Sequence, residues 1–471
     1  MQPAFFQPHR ILIASFLACH WTAWSLAAAS AECWLTNPDR SSLFQKQNPD
    51  LVFQGNAATA PTLEVDAGRT FQSMEGFGYT LTGGSAQLLM RMSAPARAAL
   101  LHELFAWDGT NIGVSYLRVS IGSSDLNDHT FSYDDLPAGE TDPNLTRFSL
   151  APDQADLIPV LQQIVAINPV IKILGSPWSA PPWMKDNHQT RGGSLQPHYY
   201  EAYAGYFVKY LQGMQAHGIS IDAITPQNEP LHPGNNPSMY MPATNQAMFI
   251  KNHLGPALQR AGLRTKIICY DHNADHPDYP LTILNDPQAR PFVDGSAFHL
   301  YGGTIDALDQ VHAAYPEKNL YFTEQWIGAP GNLPGDLGWH VDHLIVGASR
   351  HWCRTVLEWN MAADPDQQPH TDGGCDRCLG ALTIAGNQVI RNPAYYIIAQ
   401  ASKFVRPGSL RIASTTVDGL ANVAFKNPAG QTVLIVLNRK NNPSTFNVRS
   451  QDRMLTATLP AASVGTYVWQ K

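Results

Sequence analysis

Two glutamates have the type and setting for chemistry. Glu229 closes the run "AITPQNEP" and Glu324 closes "LYFTEQW". Each follows an apolar, strand-like run and precedes a turn. A strand that ends in a carboxylate before Pro or Trp packs poorly as core and well as a site. Buried side by side, two such carboxyls cannot both ionise freely, so their pKa values split. One can then act as an acid while the other stays anionic. That division is what glycoside hydrolysis asks of a carboxyl pair. A single strand-end Glu could equally serve a salt bridge to an Arg. The pairing, with aromatic residues beside both, favours the chemical reading.

Elements of a definite kind must position them. Short β-type runs alternate with amphipathic helical patterns along most of the chain. The runs are "MEGFGYTLTG", "VSYLRVSIG", "IKILGSPWS", "DAITPQNEP", "TKIICYDHN", "DGSAFHLYG", "LYFTEQWIG" and "TVLEWNMAA". Helical patterns lie between them, among them "SAQLLMRMSAPARAALLHELF", "PHYYEAYAGYFVKYLQGMQAHG" and "NQAMFIKNHLGPALQRAG". Alternating strands and helices imply a parallel sheet. Eight units over residues 74–405 predict a (β/α)8 barrel, with a doubly wound open sheet as the alternative. Residues 32–73 and 406–471 read as consecutive strands joined by turns such as "NPAG" and "NNPS". They predict a β-sandwich side domain built from both ends of the chain.

A barrel of this kind carries its site at the C-terminal ends of its strands. Arg118 and Asp125 end the second run, Trp178 the third, and Asn228 with Glu229 the fourth. His299 and Tyr301 end the sixth, Glu324, Gln325 and Trp326 the seventh, and Glu358, Trp359 and Asn360 the eighth. Trp183 and His299 read equally well as core, and Arg118 as a structural ion pair.

The chain has 471 residues, 44% hydrophobic and 15% charged, with net charge −7. It has no basic stripe, which argues against a nucleic-acid partner. Its 11 Trp suit a cleft that stacks on sugar faces, though a Trp-rich core accounts for a share of them. Residues 1–31 read as an export signal: His9 and Arg10, then "ILIASFLACHWTAWSLAAASA", with "ASA" before Glu32. His20 interrupts that run, and no other apolar stretch is long enough to span a bilayer. The expected destination is the periplasm or the medium. The CxxC of Cys375 and Cys378 has no second pair at ligand spacing, so zinc is disfavoured and a local disulfide or two free thiols are expected.

Several motifs together resemble glycoside hydrolase family 30, the glucosylceramidase family. They are "SPWSAPPWMK", "QNEP", "AFHLYGG", "FTEQW", "LEWNMA" and "NPAYYIIAQASKFVRPGSLRI", in that order from about residue 70 onward. The resemblance implies a barrel with a sandwich from both termini and hydrolysis of β-D-glucosides with retention. It implies Glu324 as nucleophile and Glu229 as acid/base. It places Arg118 and Tyr301 near the nucleophile, Asp125 on glucose hydroxyls, Asn228 on the 2-hydroxyl, and Trp178 and Trp359 along the sugar site. No cofactor or metal is implied. The loop "LHPGNNPSMYM" and the segment "MAADPDQQPHTDGGCDRCLGALT" depart from the animal glucosylceramidases. They point to the microbial branch, which includes β-1,6-glucan hydrolases, and leave glucosylceramide and β-1,6-glucan both open as substrates. Action on xylosides or fucosides, and a catalytically inactive sugar-binding barrel, are the remaining alternatives.

Overall fold

The structure, a computed structural model, describes residues 1–5, 30–54 and 58–470. The expected export segment lies almost wholly outside the described residues. Among the described residues no helix is long and apolar enough to cross a membrane.

Eight parallel strands close into a barrel. They are β1 (Gly76–Thr80), β2 (Tyr116–Ser120), β3 (Lys172–Ser176), β4 (Ala223–Ile224), β5 (Lys266–Asn273), β6 (Val293–His299), β7 (Asn319–Glu324) and β8 (Cys353–Asn360). All eight expected runs supply one barrel strand each. The barrel interior is filled, not hollow. Tyr116, Leu174, Ala223, Ile268, Ala297, Tyr321 and Leu357 form one buried layer, contributed by seven of the strands. Side chains alternate along a strand, so the residue two further on points inward one layer higher. Those residues are Arg118, Ser176, Thr225, His299, Thr323 and Trp359. The packed layer is therefore the floor of whatever sits at the strand ends.

The helical patterns are less continuous than expected. "SAQLLMRMSAPARAALLHELF" is two helices, Gly83–Arg91 and Ala94–Phe105. Ser93 takes an extended backbone between them, and Pro95 fits the first turn of the second helix, where its missing N–H costs nothing. In "NQAMFIKNHLGPALQRAG" the path stays helical but widens to a π-helical turn over Ile250–Leu254, just before Pro256.

Strands from both ends of the chain share one ten-stranded sheet. Ser30–Thr36 pairs antiparallel with Val464–Trp469, and Thr62–Ser73 pairs with both Leu410–Ser414 and Ser444–Ser450. The sheet folds over on itself: Phe446 and Tyr467, on strands far apart in the pairing order, have ring centroids 6.0 Å apart. The strand Thr432–Asn438 is buried along its whole length. Val433, Ile435 and Leu437 pack toward the barrel, while Leu434 and Val436 fill the sandwich core. That double burial explains its unbroken apolar sequence. The last run, "MLTATLPAASVGTYVWQ", is two strands, Arg453–Leu459 and Val464–Trp469, broken at Pro460. A cut before Glu32 would fall inside the strand that begins at Ser30.

Candidate active site

A cavity of about 400 Å³ opens at the C-terminal ends of the strands. Asp125, Trp178, Glu229, Tyr301, Glu324 and Trp359 all line it. These six strand-end residues thus converge on one place. Arg118 and Asn228 lie beneath it.

Arg118 is fully buried and organises the floor. Its Nη1 donates to Glu324 Oε2 at 2.6 Å. Its Nη2 donates to Asn228 Oδ1 at 2.5 Å and to Asp271 Oδ2 at 2.8 Å. The Asn228 carbonyl end is thereby taken, so its amide NH2 is the end left for a ligand. The guanidinium also lies over the Trp178 ring, 4.8 Å from its centroid. Trp178 and Trp359 stand 5.4 Å apart, tilted by 33°, as a shared wall. Gln227 Nε2 donates to the backbone carbonyls of Trp178 and Asn228, at 2.7 and 2.8 Å, and ties the ends of β3 and β4 together. Tyr301 Oη donates to Glu324 Oε1 at 2.9 Å.

Two buried groups hold this arrangement, and the sequence reading gave them too little weight. Asp271, at the end of β5, was not among the strand-end residues singled out. It is fully buried and accepts from Arg118, from Ser176 and Thr225 at 2.7 and 2.9 Å, and from Thr323 at 2.6 Å. Burial works against its charge. Arg118, His299 and Thr323 outweigh burial and hold its carboxyl well below the usual range. His299, which read equally well as core, bridges Asp271 Oδ1 and Glu229 Oε1, each at 3.2 Å. Burial lowers its pKa, but the Glu324 charge and the hydrogen bonds to Asp271 and Glu229 lift it to about 9. At neutral pH both its ring nitrogens therefore donate. Trp183 is core as its other reading had it: its Nε1 donates to the Asp134 carbonyl and its ring packs edge-on against Tyr199. Glu358 is withdrawn from the cavity into a buried pair with His340 at 2.8 Å.

Oxygens of Glu229 and Glu324 lie within 4.8 Å of each other, with His299 Nδ1 within the same span. Burial raises both carboxyl pKa values. At Glu229 the hydrogen bond and charge of His299 outweigh burial and bring the pKa below the ordinary value. At Glu324 burial, aided by the Glu229 charge, outweighs His299 and Arg118 and leaves the pKa above it. Asp125 is raised to about 7 by burial and by Glu324.

Removing the Asp271 charge would leave the buried Arg118 and His299 each short of one anionic partner. Asp271→Asn should cost about 3–5 kcal/mol of unfolding free energy at neutral pH, the scale for breaking a buried charge pair. Urea titration reads it. A depressed carboxyl stabilises the fold above its unfolded pKa, about 3.9, and that stability fades as pH falls toward the folded value. The gap between parent and variant should therefore narrow in acid.

Comparison with known proteins gives the family of both domains. The profile of the glycosyl hydrolase family 30 TIM-barrel domain matches residues 74–405, and that of the family 30 β-sandwich domain matches residues 408–467. An endo-1,6-β-D-glucanase of Aspergillus fumigatus is 34% identical, over 94% of this chain and 95% of its own. The lysosomal acid glucosylceramidase of Mus musculus is 28% identical, over 88% and 84%. The solved structure of an endo-β1,6-glucanase superposes with a TM-score of 0.86 at 34% identity, over 94% of this chain and all of that one. Barrel and sandwich are matched together: the chain belongs to glycoside hydrolase family 30 and is a glycosyl hydrolase.

Proposed function

We propose that the protein is an exported, retaining β-glucanase that cleaves β-1,6-linked glucan. The observation that carries the reaction type is the closeness of the two carboxyls. A retaining pair stands about 5–5.5 Å apart, whereas an inverting pair leaves about 6.5–9.5 Å for a water. Oxygens within 4.8 Å of each other put this pair toward the short spacing, which supports retention. Glu324 is the nucleophile. Arg118 and Tyr301 orient it, one on each oxygen. Glu229 is the acid/base. His299 holds its pKa below the ordinary value, so the substrate has to supply the change. Glu229 faces the cavity, and a bound sugar would cover its remaining contact with water. Desolvation then raises its pKa and favours the protonated form. Glu324 keeps its two donors and stays anionic.

Trp178 and Trp359 offer the sugar a flat wall, Asp125 accepts from its hydroxyls, and the Asn228 amide reaches the 2-hydroxyl. The β-1,6 linkage rests on the similarity to endo-1,6-β-glucanases at 34% identity over nearly the whole chain. The glucosylceramidase likeness is lower, at 28%. Product analysis on a linear β-1,6-glucan, laminarin and glucosylceramide decides between them. The β-1,6-glucan should yield short β-1,6-linked oligosaccharides fastest. Cleavage of glucosylceramide with the glucan left intact would overturn the assignment. Export has its own check. The exported protein should begin at or near Glu32 on N-terminal sequencing, and a mature protein starting at Met1 would contradict it.

A further inference from the structure

Cys375 and Cys378 form a disulfide, and both line the catalytic cavity. The expected pair of outcomes, local disulfide or free thiols, thus resolves to the disulfide. Its position is the informative part. The loop after β8 passes over the barrel mouth and touches both sides of the sugar site. On one side Thr371 N–H donates to the Asp125 carbonyl at 2.8 Å, and Cys375 N–H donates to the Asp125 carboxylate at 3.3 Å. Gly374 allows this approach, because a Cβ there would collide with the Asp125 carbonyl oxygen. On the other side Cys378 and Leu379 pair antiparallel with Gly328 and Ile327, just beyond Glu324. Arg377 O accepts from Ala329 N–H at 2.8 Å. The disulfide joins the two halves. It ties the backbone donor on Asp125 to the strand that follows the nucleophile. Leu126, Trp178, Trp359 and Cys378 share one apolar cluster, with Trp326 and Cys375 packed against it.

We propose that the Cys375–Cys378 disulfide is a positioning element of the sugar site, which holds Cys375 N–H on Asp125 and so sets sugar affinity, and that its reduction opens this subsite while leaving the two glutamates in place. The proposal rests on the reading of Asp125 as a sugar ligand. The glutamates are held by Arg118, His299 and Tyr301, none of which contacts the loop through a hydrogen bond. A dithiol reductant would perform the step. It delivers two electrons and two protons, the S–S bond breaks, two thiols form, and the dithiol leaves as its cyclic disulfide.

The test uses the full-length protein before and after dithiol treatment, with alkylation confirming that two thiols have been gained. The substrate is an aryl β-glucoside. With the loop released, KM and the inhibition constant of a competitive glucose-configured inhibitor should rise about tenfold, the scale of one lost hydrogen bond to a charged group. The kcat value should change less than about threefold. A second sign is independent of affinity. Cys375 N–H lowers the Asp125 pKa, while burial and the charges of Glu324 and Glu229 raise it. Losing the donor raises it further, so the acid limb of kcat/KM should move to higher pH. Reoxidation should restore both values. Cys375→Ser with Cys378→Ser should reproduce the reduced form without any reductant. Two titratable thiols with unchanged KM and pH profile would overturn the proposal. So would unfolding on reduction, or a loss of kcat as large as the rise in KM. Asp125→Asn separates the two layers: parental KM in that variant refutes the reading of Asp125, while a raised KM together with a silent reduction refutes only the role of the disulfide.

Discussion

Glu324→Ala should abolish turnover of every β-glucoside, good leaving group or poor, by roughly 10⁴-fold or more, the scale seen when a covalent nucleophile is removed. The fold should survive, because Arg118 keeps Asp271 and Asn228 as partners. The truncation faces the cavity, so it leaves an open site between Arg118 Nη1 and Tyr301 Oη, the two donors that held the carboxylate. A small anion fits there. Azide should therefore restore part of the rate with an activated aryl glucoside. It would attack from the face that Glu324 used, and the product should be the α-glucosyl azide, inverted relative to the substrate. Product configuration by NMR is the readout. His299 gives a second one. The Glu324 charge is the strongest influence raising its pKa, so the imidazole should titrate lower in the variant. A variant that keeps more than a few per cent of parental kcat/KM would remove Glu324 from the nucleophile's role.

The architecture and the convergent residues were legible in the sequence because both follow simple periodicities. Eight apolar runs alternating with helical patterns have few solutions other than a closed parallel barrel, and the residue at the end of each run is then at the mouth. Asp271 escaped because β5 breaks the rule. Alternation from Ile268 would point Tyr270 inward and Asp271 outward. The pairing with β6 shifts register between Ala297 and Phe298, which skips Asp271, and Tyr270 and Asp271 both take positive φ, 74° and 69°. This bulge turns the carboxylate into the barrel and the Tyr270 ring into the outer core. No single-sequence pattern announces a non-glycine bulge. His299 was visible but ambiguous, since an apolar strand ending in His fits a core as well as a site. Its role follows from Asp271, so one missed residue concealed the other. The disulfide was one of two outcomes left open, and spacing alone could not show that its loop reaches back to Asp125, some 250 positions earlier in the chain.

Glu229→Ala should behave differently from its partner, and the difference is the sharper test of the mechanism. Glu229 sits in a left-handed backbone, φ 44°, with its N–H on the Asp271 carbonyl at 3.0 Å. Its position is therefore fixed by the same bulge that aims Asp271. Removing its side chain deprives His299 of one acceptor but leaves the other, Asp271. Glu324 with its two donors is untouched. Attack at the anomeric carbon stays possible wherever the leaving group needs no proton. Dinitrophenyl glucosides should keep most of their glycosylation rate and show a burst, because the second step now lacks a general base. A β-1,6-glucan, whose leaving group is a sugar alkoxide, should lose about 10²–10⁴-fold, the usual worth of a positioned acid. Azide should again help, but at the second step. It would attack the glycosyl-enzyme from the face vacated by Glu229 and give the β-glucosyl azide, with configuration retained. Glu229→Gln keeps an acceptor for His299 and supplies no proton, so it should match Ala on the glucan while preserving the parental melting temperature. Opposite azide anomers from the two alanine variants are possible only if the glutamates work on opposite faces of the sugar. The same anomer from both, or the same dependence on leaving group, would show that the assignment of roles is wrong.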